Sequence, residues 1–207
     1  MRCRLLPPLV VPLIGCVLFL PPAHGEGPDP LGSYVAPCLV ACPAGDSNFV
    51  VITRQFDGSP WMHGQVTVDF CACAGFRLVT NRSRSYVVMP SGCAIARDPD
   101  ALGVSFFPIA GGGTCTQGEA RVYADGIPFG SRAIASPDQD GDWVVTEADV
   151  ALLAGKLGRS DSKGDFDCDG VVSITDIAIV RSHLGHMGDL LTSLRASSWG
   201  GLKIAYR

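Results

Sequence analysis

The sequence predicts a mainly β fold, a sandwich of short strands, followed by a small α module built from two loop–helix repeats. Three observations carry this. Short apolar runs fenced by turn residues fill Asn48 to Ala135. The chain holds 25 glycines and 15 prolines but only 17% charged residues, which suits strands and turns better than long solvated helices. Beyond residue 137, "DQDGDWVVTEADVALLAGKLG", starting at Asp138, returns 27 residues later as "DFDCDGVVSITDIAIVRSHLG". A length of 207 residues leaves room for one medium and one small domain, or one large domain.

The N-terminus "MRCRLLPPLVVPLIGCVLFLPPAHGEG" opens with Arg2 and Arg4, runs apolar to Leu20 and reaches the small-residue stretch "AHG". It reads as a secretory signal over residues 1–25. The apolar run is too short to span a bilayer, and Pro7, Pro8 and Pro12 interrupt it, so no membrane span is expected. A lipoprotein signal ending at Cys16 is the rival, but the apolar "VLFL" that follows argues against it. The expectation is a secreted, extracellular protein, with attachment to a cell surface left open.

Export makes sense of the cysteines. Six of those outside the signal, Cys38, Cys42, Cys71, Cys73, Cys93 and Cys115, precede residue 116. Up to three disulfides are expected among them in an oxidising compartment. Connectivity stays open, with Cys93–Cys115 suggested only because the two flank a pair of strands. Cys168 is left over as a free thiol. The "CAC" of Cys71 and Cys73 is too tight for a common zinc knuckle.

After the signal, residues 26–47 read as a polar, Pro/Gly-rich lead. Residues 48–136 carry the strands. "FVVIT" (Phe49 to Thr53) is a buried run, and "QVTVDFC" (Gln65 to Cys71) alternates with period two. "SYVVM", "GVSFFPIA", "EARVYADG" and "GSRAIA" follow, each bounded by Gly, Pro, Asp or Asn. "GGG" at Gly111 to Gly113 has no helix signal after it and reads as a flexible turn. Asn81 stands in an "NRS" sequon, an ordinary loop unless the cell glycosylates it. The stretch from Asp57 ("DGSPWMHGQV", with Asp57, Pro60, Gly64 and Val66) and the later Asp100 and Gly103 resemble the immunoglobulin-like repeats of invasin-type bacterial surface proteins. That resemblance implies an immunoglobulin-like sandwich and no binding site.

Residues 137–189 hold eleven acids against four bases, so no nucleic-acid partner is expected. Numbered from its first aspartate, each repeat places Asp138, Asp140, Asp142 and Asp149, then Asp165, Asp167, Asp169 and Asp176, at positions 1, 3, 5 and 12. Position 7, which offers a backbone carbonyl, is Val144 or Val171. This is the ligand spacing of a 12-residue calcium loop. Calcium takes six to eight oxygens, and without it the converging carboxylates repel one another. Two calcium ions are therefore expected, and their binding should help to fold the segment.

Position 8 is Val145 or Val172, residues that in paired loops can form a small β-bridge with each other. After each loop, Val150, Leu153, Ala154 and Leu157, then Ile177, Val180 and Leu184, suit one helix face. Gly158 and Gly185 end the helices. A full EF-hand needs an incoming helix, but "GSRAIASP" and "GRSDSKG" before the loops cannot supply one. Loop then helix, twice, with Asp at position 12, resembles type I dockerins over residues 138 to about 186. The resemblance implies two calcium-loop–helix halves with near two-fold symmetry that dock on a cohesin domain of a scaffold or surface protein. It also implies an accessory role near extracellular polysaccharide degradation; polysaccharide as a ligand belongs to an alternative reading of the strand region. Trp143 occupies position 6 where the second loop has Gly170. A bulky side chain there costs about 1–2 kcal/mol if the backbone is left-handed, so the first site is expected to bind more weakly.

No catalytic motif is present: the chain lacks GxSxG, HExxH and a P-loop. Asp57, Asp69 and Glu119 make no convincing glycosidase pair. His183 and His186, spaced i, i+3, could take a metal, but they read as exposed histidines at a helix end. A non-catalytic protein is expected. If the strand region binds carbohydrate instead, Trp61, Phe106, Phe107 and Tyr123 are the aromatic candidates. The tail, residues 190–207, reads as a frayed extension.

Overall fold

The computed structural model describes residues 27–79 and 85–188. The expected signal, the Asn81 loop and the tail lie outside the described residues. Among the described residues the chain is β-rich, with two short helices following the strands. Its strands are β1 (Tyr34–Val35), β2 (Leu39–Val40), β3 (Asn48–Ile52), β4 (Val66–Asp69), β5 (Arg77–Leu78), β6 (Val87–Val88), β7 (Ala94–Arg97), β8 (Val104–Pro108), β9 (Gly111–Gly112), β10 (Ala120–Ala124), β11 (Ile127–Arg132) and β12 (Ile134–Ala135). The helices are α1 (Glu147–Ala154) and α2 (Ile174–Ser182).

Five strands form one antiparallel sheet in the order β11-β10-β4-β7-β6, and three form another, β1-β3-β8. Period-two alternation places Val66 and Val68 of β4, Ile95 of β7 and Val122 of β10 inside, together with Phe49 and Val51 of β3 and Phe107 of β8. These side chains from both sheets belong to one core. Fully burying each contributes roughly 1.5–3 kcal/mol.

The sequence expectations for the cysteines and for the glycine run need correcting here. The lead at residues 26–47 is itself paired with strands: Tyr34 and Val35 with Ile52 and Val51, and β2 in parallel with β12. Arg132 fixes the turn between β1 and β2, donating to the carbonyls of Ala36 at 2.9 Å and Val35 at 3.1 Å. The disulfides join Cys71 to Cys93, Cys73 to Cys115 and Cys38 to Cys168. Cys93–Cys115 is therefore not a pair, Cys168 is not free, and among the described residues Cys42 is the free cysteine, buried. Cys93 precedes β7, which adjoins β4, and Cys71 follows β4, so the sheet itself sets that pairing. Gly111–Gly113 is not a flexible turn, because Gly111 and Gly112 form β9 against β5.

The C-terminal module has its own core of Val145, Val150, Leu153, Phe166, Val172 and Val180, which Ala135 of β12 joins. Leu157 and Leu184, expected on the buried helix face, are 45% and 37% exposed; Ala154 is exposed too. The two leucines lie beyond the helices, since α1 ends at Ala154 and α2 at Ser182. Among the described residues, no helix is long and apolar enough to cross a membrane.

Candidate metal centre

The two aspartate loops share a common set of internal hydrogen bonds, to which the first adds bonds to Asp138 from Gly141 at 2.8 Å and Gly113 at 3.1 Å. At position 1, one carboxylate oxygen accepts from the N–H at position 6: Asp138 from Trp143 at 3.1 Å, and Asp165 from Gly170 at 2.9 Å. The other oxygen accepts from position 5, Asp142 at 3.2 Å and Asp169 at 3.1 Å. Position 3 accepts from position 5, at 3.1 Å in Asp140 and 3.3 Å in Asp167. Each loop thus wraps its own N–H groups onto its carboxylates.

Position 12 has two roles. Thr146 and Ser173 are the N-caps of α1 and α2, and Asp149 and Asp176 complete capping boxes as the third helical residue. Asp149 accepts from the N–H groups of Thr146 and Gln139, both at 2.7 Å. Asp176 accepts from Ser173 at 2.7 Å and Phe166 at 2.6 Å. The helix start and the closing carboxylate of the loop are one local structure.

These bonds gather carboxylates. Oxygens of Asp138, Asp140 and Asp149 lie within 4.8 Å of one another, and so do those of Asp165, Asp167 and Asp176. Asp142 and Asp169 fall outside these close groups; each accepts instead from the N–H at position 7, Val144 at 2.8 Å and Val171 at 2.9 Å. Among the described residues, the carbonyls of Val144 and Val171 accept no hydrogen bond. Each loop therefore offers three converging carboxylates and one unengaged carbonyl, an oxygen set that suits a hard divalent cation.

Position 6 is left-handed in both loops, with φ of 74° at Trp143 and 96° at Gly170. Trp143 tolerates this because its ring has somewhere to go. It lies so close to Gly112 and Gly188 that added Cβ atoms there would stand 3.2 Å and 3.1 Å from it.

The electrostatics of the two loops differ. Burial, together with the charge of Asp149, pushes the Asp138 carboxyl up to about 6, against hydrogen bonds from Gly141, Trp143 and Gly113. Burial also opposes ionisation of Asp176, but hydrogen bonds from Ser173 and Phe166 outweigh it and hold that carboxyl below its ordinary value.

The expected bridge between Val145 and Val172 does not form. Val145 pairs instead with the chain beyond α2, donating to His186 at 2.9 Å and accepting from Gly185 at 2.8 Å. Val172 pairs with the chain beyond α1, donating to Arg159 and accepting from Gly158, both at 2.9 Å. Each loop is thus stitched to the end of a helix, and the two halves repeat the same arrangement. Gly158 and Gly185 have φ of 75° and 83°, but they do not end the helices as expected: α1 and α2 stop earlier, with Gly155 and His183 as their C-caps, and the two glycines turn the chain beyond them.

Two features escaped sequence reasoning. Gly113 donates to Asp138 at 3.1 Å, so the glycine run is the seat of the first loop. Cys168, at position 4 of the second loop, is disulfide-bonded to Cys38 beside β2. Elsewhere, Asp57 and Asp69 cap local turns, accepting from Ser59 at 2.9 Å and Cys71 at 2.7 Å. Trp61 and Phe107 are core residues.

No family model, no curated protein and no solved structure matches this chain.

Proposed function

We propose that residues 137–189 form a dockerin-like module that binds two calcium ions and attaches the chain to a cohesin-type domain of another extracellular protein. In this reading the protein is secreted and non-catalytic. Its strands form an immunoglobulin-like sandwich, and it serves as an accessory near polysaccharide degradation. The carrying observation is the set of hydrogen bonds and capping boxes that the two loops share, each loop gathering three carboxylates. An acidic surface tract has no reason to repeat its hydrogen bonds, its capping boxes and its buried valines in step. Bound calcium would neutralise those carboxylates and let each loop close onto its helix. The three disulfides suit an oxidising compartment.

The position-10 residues give the two halves different faces, since Glu147 is matched by Ile174, which is 77% exposed. One half rather than both therefore leads the docking. Calorimetry tests the metal: two equivalents of calcium in the wild type and one in Asp138→Asn or Asp165→Asn are expected. Pull-down from native extracellular extract, with and without chelator, tests the docking. A partner retained equally in chelator contradicts it and leaves the loops a structural role alone.

A second reading rests on the outer face of the three-stranded sheet. There Tyr34 and Phe106 are 50% and 46% exposed and share a face with Val50, Ile52 and Val104. Aromatic rings on an open sheet face suit a sugar ring. Loss of polysaccharide retention in Phe106→Ala supports this reading, and unchanged retention removes it.

A further inference from the structure

The structure assigns to Cys42, Asp46, His183 and His186 a four-coordinate site for zinc or a similar divalent transition metal, separate from the aspartate loops. The Nδ1 atoms of His183 and His186 are 3.1 Å apart. The same Asp46 oxygen stands 3.1 Å from one and 3.2 Å from the other. The Cys42 sulfur is 3.6 Å from both nitrogens, and all four donor atoms lie within 4.8 Å of one another.

These are the edges of a metal tetrahedron. Zinc bonds of about 2.0–2.1 Å to nitrogen or oxygen and about 2.3 Å to sulfur place the donors about 3.3 Å apart for N/O pairs and about 3.5 Å apart for N–S pairs. Hydrogen bonding alone gives no reason for two ring nitrogens and a sulfur to converge on one carboxylate oxygen. Each bond would use one proton and one direction, and the two nitrogens would compete for the same proton. One thiolate and two imidazoles select zinc over calcium. The fourth donor is a carboxylate as near as the others, not the long axial thioether of a copper site.

The backbone holds the donors in place without a metal. The Cys42 carbonyl accepts from Gly45 at 2.8 Å and Gly111 at 3.2 Å, while its N–H donates to Ile109 at 3.3 Å. Asp46 follows the turn at Gly45. His183 caps α2, and the His186 carbonyl is fixed by Val145. On binding, Cys42 releases its thiol proton to solvent and its sulfur bonds the metal. Asp46 and His186 have side chains 40% and 34% exposed, which leaves a route of entry. All four positions are filled by protein, so the site is structural. It clamps the end of the module to residues 42–46, beside the Cys38–Cys168 disulfide. It stands whether or not the loops take calcium.

The test is cobalt titration of the disulfide-bonded full chain, with calcium saturating throughout. One equivalent should bind with a thiolate-to-cobalt charge-transfer band and the intense visible bands of four-coordinate cobalt, and zinc should abolish both. Cys42→Ser should lose the charge-transfer band. His186→Gln, at a partly exposed position, should keep that band but bind at least about tenfold more weakly. No charge-transfer band in the wild type, or the same spectrum in Cys42→Ser, overturns the assignment.

Discussion

Gly113 donates its backbone N–H to Asp138 at 3.1 Å, so the first residue of the first loop is seated on the β-region. A Cβ on neighbouring Gly112 would stand 2.3 Å from an Asp138 carboxylate oxygen. Gly112→Ala must therefore displace that carboxylate. The expected outcome by calorimetry is weaker calcium binding at the first loop with the second unchanged. Equal losses at both loops would point to global unfolding instead.

The two loops should differ in affinity. Trp143 holds a left-handed backbone at a cost of about 1–2 kcal/mol that Gly170 does not carry. In single-loop variants, Asp165→Asn should leave the weaker site and Asp138→Asn the tighter one. Matching affinities would contradict this.

Thr146→Ala and Ser173→Ala each remove a side-chain oxygen that caps a helix and also contacts the position-12 carboxylate. Each should cost about 1 kcal/mol in chemical denaturation. Because the cap and the loop share that carboxylate, each should also weaken calcium at its own loop. A stability loss with both affinities intact would show the capping box to be independent of the site.

Cys38 and Cys168 are 130 residues apart, and a cross-link of that length restricts the unfolded chain strongly. The double variant Cys38→Ser/Cys168→Ser should lose about 2–5 kcal/mol, read from denaturation at saturating calcium. Stability within about 0.5 kcal/mol of the wild type would mean that packing alone holds the second loop in place.

What was legible in the sequence was local. The strands at Asn48–Ile52, Val66–Asp69, Val104–Pro108 and Ala120–Ala124 follow from alternation and from turn residues at their ends. The loops follow from aspartates at fixed spacing, because their hydrogen bonds join residues two to ten apart. What failed was long-range. β7 is paired on both sides, by β4 and β6, yet it has only four residues between Gly92–Cys93 and Asp98–Pro99, too few for its period to register. The partners Cys38 and Cys168, and Val145 and Gly185, are 130 and 40 residues apart along the chain, a pairing which no local pattern encodes. His183 and His186 read as exposed because their neighbours Cys42 and Asp46 lie some 140 residues away along the chain.

The central claim is that cation binding by the two aspartate loops orders residues 138–186. Far-ultraviolet circular dichroism of the disulfide-bonded chain, melted in millimolar calcium and again in EDTA, tests it most directly. The expected result is a loss of helical signal in EDTA and a lower melting transition, both restored by added calcium. Superimposable spectra and melting curves in the two buffers would contradict it.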